Sequence, residues 1–284
     1  MSGTSTVKTF TPTHLGSIWA DVTSHFGTVK VTVDPNARNA TVTVSTSDTE
    51  GPLADAVNNT TLREVNSSQP VLHVDVPKVP GGGSQSISFA GGSIQVSGNY
   101  GVVSAGQSVT GMTISNGDVW FGGQRIVSNG RVVAEAGTVV SGSGTGTIRV
   151  EITLPRDSSL RLTTTSADLA IKGDLMVLDA QSVSGDIEAG TVHDLAVNTT
   201  SGDVEVRHVT ARADVHSVSG DVEVRSYEGS SFAVNSVSGD IDVAATSGST
   251  GRFSVNTVSG DVTTRGADHL NPSVRTVSGK HRRR

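Results

Sequence analysis

The sequence predicts an all-β protein: a parallel β-solenoid (β-helix) with coils of about 18 residues, preceded by a β-rich amino-terminal region. Three observations carry that prediction. A Ser-Gly-Asp turn recurs through the second half of the chain, its third position falling at Asp168, Asp186, Asp203, Asp221, Asp240, Asp261 and then Lys280. The intervals are 18, 17, 18, 19, 21 and 19 residues. A unit that short buries an apolar face only against its neighbours, so the copies must stack. Apolar and polar residues alternate on both sides of the turn, the period of a half-buried strand. The composition agrees: 35% hydrophobic, only 4% aromatic and 33 glycines. The apolar surface therefore comes from Val, Ile, Leu and Ala, which with abundant Ser and Thr favour strands and turns.

Aligning the copies on the turn gives columns. After the turn come Leu169, Ile187, Val204, Val222, Ile241 and Val262, and two residues on come Ile171, Ala189, Val206, Val224 and Val243, with Thr264 as the exception. Before it run Leu162, Ala180, Val197, Val215, Val234, Val255 and Val274, and two residues earlier Leu160, Leu178, Leu195, Ala213, Phe232 and Phe253. Stacked about 4.8 Å apart, like residues lie on like residues. Each coil repeats the phrase because each coil needs the same corner.

One column conflicts with a smooth strand. Val183, Val218, Val237, Val258 and Val277, with Thr165 and Thr200 in the other copies, lie three residues after an inward column. A strict hydroxyl column precedes them: Thr164, Ser182, Thr199, Ser217, Ser236, Thr257 and Thr276. A bend at the hydroxyls returns the valines to the interior. The alternative is a straight strand with the hydroxyls inside, which exposes five valines and is disfavoured on burial cost.

The chain divides by composition into residues 1–80, 81–150, 151–279 and 280–284. In the first, FGTVKVTV and ATVTVSTS flank the turn-like DPNARN and predict a β-hairpin. PLADAVNNTTLREV holds a short helix or a long connection, and QPVLHVDVPKVP is a strand ended by prolines. Residues 81–150 are glycine-rich, with short apolar beats and Asn-Gly turn signals, and read as irregular coils of the same architecture. Residues 151–279 are the regular solenoid, and Lys280–Arg284 are a basic tail with four formal positive charges.

The series TTSADLAI, SVSGDIEA, TTSGDVEV, SVSGDVEV resembles the bacterial β-strand-repeat proteins grouped as candidate adhesins, a domain of unknown function. FGTVKVTV, NATVTVST and HVDVP resemble the opening of the same family, so the resemblance covers most of the chain. It implies the repeat fold and, through the adhesin label, surface display. It brings no catalytic residues.

The net charge is −6, and residues 1–279 alone sum to −10. That argues against nucleic-acid binding. There are no cysteines, so neither disulfides nor thiolate chemistry. No apolar run reaches a membrane span, so no membrane insertion is expected. The start shows no basic stretch followed by an apolar core. The expected location is therefore cytoplasmic, against surface adhesion.

Carboxylates are the candidates for chemistry. Stacked coils place Asp186, Asp203, Asp221 and Asp240 in one ladder and Glu188, Glu205 and Glu223 in another. Like charges about 4.8 Å apart repel by roughly 3 kcal/mol at an effective dielectric of about 20. Hydrogen bonds from each aspartate's own corner offset this. The sharper alternative is a cation such as calcium held by oxygens of successive coils, although the calcium-binding nonapeptide pattern is absent. The eight histidines show no ligand spacing, and no nucleophile elbow is present. No cofactor is expected. Asn198, His216, Asn235 and Asn256 form an outward polar column and are the candidate interaction residues.

The function expected from sequence is thus a non-enzymatic structural scaffold or protein-interaction surface, self-assembling through open solenoid ends or binding another protein. Two alternatives stand beside it: a carbohydrate-active enzyme on a β-helix, for which the chain is poor in aromatic sugar platforms, and a cation-dependent adhesin.

Overall fold

The computed structural model describes residues 5–79 and 147–284, and between them only the backbone of the strands Gln85–Ala90, Ser93–Ser97, Met112–Ser115, Asp118–Phe121, Gln124–Ser128, Arg131–Val132 and Val139–Gly142. Those strands pair antiparallel, Gln85–Ala90 with Ser93–Ser97 and Val139–Gly142, and Asp118–Phe121 with Met112–Ser115 and Gln124–Ser128. The irregular coils expected over 81–150 fall largely on residues outside the described set. The residues linking the strands lie outside the described set.

The chain forms two compact units that interleave in sequence. One comprises Met1–Lys8, Val44–Thr60 and Val76–Arg149. It holds the helix Pro52–Asn58, the first of the two alternatives, helix or connection, open over PLADAVNNTTLREV. Proline begins it, where its missing N–H is not needed, and Leu53, Ala54, Ala56 and Val57 are its buried face. The other unit, Thr9–Thr43, Thr61–Asp75 and Val150–Arg284, contains the solenoid.

The solenoid is parallel, with about seven turns at a spacing of about 19 residues. Its strands stack in the predicted register. Leu160, Leu178, Leu195, Ala213, Phe232 and Phe253 lie on one another. So do Leu169, Ile187, Val204, Val222, Ile241 and Val262, all buried. A third side escaped the sequence reading: Leu175, Val192, Val209, Tyr227 and Ala245 form a further column. There Tyr227 meets Phe232 edge-on at 4.9 Å, and Phe232 stacks on Phe253 at 4.6 Å. Burial pushes the Tyr227 phenol up to about 12. The polar exception, Thr264, is buried because its hydroxyl lies 2.9 Å from Nε2 of His281, the residue stacked nearby on the next strand.

The stack begins earlier than the repeats. Trp19–Ser24 pairs in parallel with Ser159–Thr163, and Phe26–Val33 with the start of Ser166–Ser182. The hairpin expected across DPNARN is therefore not formed. Phe26–Val33 has Ser166–Ser182 on one edge and Arg149–Leu154 on the other, leaving no edge for Thr41–Thr46. A hairpin forms instead between Thr61–Val65 and Val71–Val76, and its second strand pairs with Trp19–Ser24. The basic tail is also a coil. His281–Arg283 stacks on Val262–Arg265, Arg282 reaches Asp261 at 3.1 Å, and the Arg284 N–H donates to the Thr264 carbonyl.

The expected bend at the hydroxyl column is absent. Thr164, Ser182, Thr199, Ser217, Ser236 and Thr257 are buried, and Val183, Val218, Val237 and Val258 are about half exposed, Val277 more so. Fully burying a valine is worth about 1.5–3 kcal/mol, so half-exposure forfeits about 1 kcal/mol per valine. In four corners the inward hydroxyl offsets this: its oxygen accepts the N–H of the residue three further on, closing the corner. Thr164 takes Ala167 at 2.8 Å, Ser182 takes Gly185 at 2.9 Å, Thr199 takes Gly202 at 3.1 Å and Thr276 takes Gly279 at 3.0 Å. Leaving such a buried N–H unmade costs about 1–3 kcal/mol. At Ser217, Ser236 and Thr257 no such bond forms: Gly220 and Gly239 stand at φ 143° and 124°, and the Ser236 hydroxyl donates to the Ser238 carbonyl at 3.2 Å.

Candidate interaction surface

The corner sets the surface. From each coil it projects, in chain order, a polar residue, a buried hydroxyl, an exposed valine or threonine, a serine, a glycine and an aspartate. Stacking turns these positions into rails along the solenoid.

The polar rail runs Thr163, Gln181, Asn198, His216, Asn235, Asn256 and Arg275. It contains all four candidate interaction residues. Asn198 and His216 are exposed, Asn235 and Asn256 half-buried. The Asn256 amide donates to Asn235 Oδ1 at 3.0 Å, and His216 Nε2 lies 3.2 Å from Asp214. Between this rail and the valine rail lies an open cleft of about 800 Å³, lined among others by Gln181, Asn198, His216, Asn235, Val183, Val218 and Val237.

The aspartate rail solves its repulsion differently from expectation. Each carboxylate accepts an N–H from the next coil, not from its own corner. Asp168 Oδ1 takes the Asp186 N–H, Asp186 that of Asp203, Asp203 that of Asp221 at 2.8 Å, Asp221 that of Asp240 at 2.7 Å and Asp240 that of Asp261 at 2.8 Å. Asp261 takes the Lys280 N–H at 2.9 Å.

Glu188, Glu205 and Glu223 stack on a different face. Arg225 bridges Glu205 at 2.6 Å and Glu223 at 3.1 Å. Glu188 and Glu205 line a cleft of about 500 Å³ together with Lys30, Lys172, Arg207 and Arg225. Among the described residues no group of three or more carboxylates or histidines converges as a metal site would require. A third cleft, about 290 Å³, is lined by Trp19, Asp21, Gln69, His73 and Arg161. There His73 Nδ1 lies 3.0 Å from Asp21, and Arg161 covers the Trp19 ring while pairing with Asp179 at 2.9 Å. Nothing in the spacing of His73 and Asp21 signals that pair; stacking of the first coil against the hairpin makes it.

A family model described as Toastrack DUF4097 matches residues 135–281, more than half of the chain. The chain belongs to the Toastrack DUF4097 family. No curated protein matches it. Among solved structures this Toastrack chain is similar to a candidate adhesin from Parabacteroides distasonis ATCC 8503, with 10% identity over 100% of this chain and 98% of that chain and a TM-score of 0.49. It is also similar to a candidate adhesin from Bacteroides fragilis NCTC 9343, with 13% identity, coverage of 98% and 97%, and a TM-score of 0.47. A third likeness is to a candidate cell adhesion protein from Clostridium sporogenes ATCC 15579, with 9% identity, coverage of 99% and 98%, and a TM-score of 0.37.

The Toastrack corner thus spends many of its polar groups on the fold: four hydroxyls on corner amides, and aspartate Oδ1 atoms on the next coil. What it leaves for another molecule is the valine rail, the carboxamides beside it and the outer aspartate oxygens. Among the described residues no helix is long and apolar enough to cross a membrane.

Proposed function

We propose that this protein is a non-enzymatic interaction scaffold whose working surface is the corner cleft between the valine rail and the Asn198–His216–Asn235–Asn256 rail. One observation carries this reading. The column immediately outside each corner is valine in five copies, half-exposed in four and more so at Val277, although the chain itself uses threonine there at Thr165 and Thr200. The fold therefore tolerates a polar residue at that position, and an aligned apolar strip on a rigid stack is a surface that gains by being covered.

A carbohydrate-active site on the Glu188–Glu205 cleft fits less well. A glycosidase pair needs one protonated acid and one carboxylate free to act, whereas Glu205 is taken up in an ion pair with Arg225 at 2.6 Å. No aromatic residue lines that cleft.

The test is photo-cross-linking in the native cell, with a photoreactive side chain placed at Val218 or, on another face, at Thr263. Discrete adducts from position 218 that are absent from position 263 support the reading. Equal labelling at both positions, or none at either, overturns it.

A further inference from the structure

Resting on that surface, we infer that the valine rail receives a basic amphipathic helix of another protein, laid along the solenoid axis.

Charge selects the sign of the partner. Six successive corners, Thr163–Asp168, Gln181–Asp186, Asn198–Asp203, His216–Asp221, Asn235–Asp240 and Asn256–Asp261, contain six aspartates and no lysine or arginine. Among the described residues, Asp261 alone of these six is ion-paired, with Arg282. Each of the others gives Oδ1 to a backbone amide and leaves its charge unneutralised. On the far side of the polar rail stands Asp214, beside His216. The apolar strip is thus bordered by acid, which repels nucleic acid and anionic lipid and attracts lysine and arginine.

Spacing selects the shape. The rail presents one side chain about every 4.8 Å. An extended strand presents same-face residues roughly every 6.7 Å, and falls out of step within two coils. A helix with a narrow apolar seam presents one seam residue roughly every 5.2 Å, and stays within about 2 Å of the rail across four steps. Val183 to Val258, the part of the rail inside the acidic corners, is four coil steps, about 19 Å, the length of a helix of about 13 residues; the next corner, at Val277, carries Arg275 and Lys280 and ends the acidic run. Lysine and arginine flanking such a seam lay their stems along the valines and put their charges toward the aspartates.

The experiment uses the full chain and fluorescence anisotropy with a labelled synthetic helical peptide, leucine at seam positions, lysine at the flanks and alanine elsewhere. Two comparison peptides replace lysine by glutamate or seam leucine by serine. Two triple variants keep the fold. Asp203→Asn, Asp221→Asn and Asp240→Asn retain the Oδ1 acceptor and remove charge. Val218→Thr, Val237→Thr and Val258→Thr copy residues this column already uses; circular dichroism verifies both.

Saturable binding of the basic peptide is expected, weakened at least tenfold in each triple variant and by raised salt, with both comparison peptides failing to bind. Absence of saturable binding, equal binding of the glutamate peptide, or wild-type affinity in either variant overturns the inference. If that happens while position-218 cross-links persist, only the occupant is wrong; if the cross-links also vanish, the surface itself is.

Discussion

Gly202 is where the stack is least forgiving, and Gly202→Ala tests its logic most directly. A Cβ at Gly202 would lie 2.1 Å from the Gly185 carbonyl oxygen, a backbone atom that cannot swing aside. The same approach recurs up the column, at 2.0 Å for Gly185 and 2.1 Å for Gly260. Relief requires the two corners to separate by about 1 Å, to reach ordinary contact distance. Three hydrogen bonds hold them or the corner itself: Ser201 N–H to the Val183 carbonyl at 2.9 Å, Asp203 N–H to Asp186 Oδ1 at 3.0 Å, and Gly202 N–H to Thr199 Oγ1 at 3.1 Å. At about 1 kcal/mol each, their loss destabilises by about 3 kcal/mol. For a unit of this size that lowers Tm by about 6–12 °C. Thermal unfolding followed by circular dichroism reads it directly. Ser201→Ala, which removes only an exposed hydroxyl bonded to the Val183 carbonyl, is the control and shifts Tm by less than about 2 °C. A Gly202→Ala protein melting within about 2 °C of wild type would refute the close-approach account.

Three further outcomes follow from the corner. Ser182→Ala strands the buried Gly185 N–H and costs about 1–3 kcal/mol in urea unfolding, whereas Val183→Thr stays within about 0.5 kcal/mol; the opposite order would restore the bent strand. Asp203→Ala removes the acceptor of the Asp221 N–H and costs about 1 kcal/mol, while Asp203→Asn keeps the acceptor, relieves repulsion along the rail and is neutral or stabilising, a difference erased if charge rather than acceptance matters. At the last coil, burial and then Arg283 hold His281 below its ordinary value of 6.5. The unfolded chain binds that proton more readily, so the contribution of the neutral ring is complete above pH 6.5 and declines as pH falls toward the depressed folded value. The protection of the His281–Arg283 amides, taken relative to the intrinsic exchange rate at each pH, therefore falls on acidification below that point. In His281→Asn it does not, and an equal fall there would contradict the assignment.

Much of this fold is legible in the repeat. Two-residue alternation gives strands, a recurrence of about 18 residues forces stacking, and Ile187, Val204 and Val222 have nowhere to go but one interior. The outward Asn198–Asn256 column follows from the same parity. Parity fails at the corner. The hydroxyls face inward, and at Thr164, Ser182, Thr199 and Thr276 they accept a corner amide there; hydrophobicity alone points the wrong way. The long-range partners of the amino-terminal strands are equally invisible. FGTVKVTV and ATVTVSTS look like neighbours, but Phe26–Val33 completes the first coil against residues more than a hundred positions away, because that edge buries Val29 and Val31 against Leu169 and Ile171. Local sequence determined the coil, its core and its rails. Only the tertiary structure decided which strand opens the stack, which carboxylate serves which amide and which apolar residues stay in water, since each of those turns on a hydrogen bond or an edge supplied by a different coil.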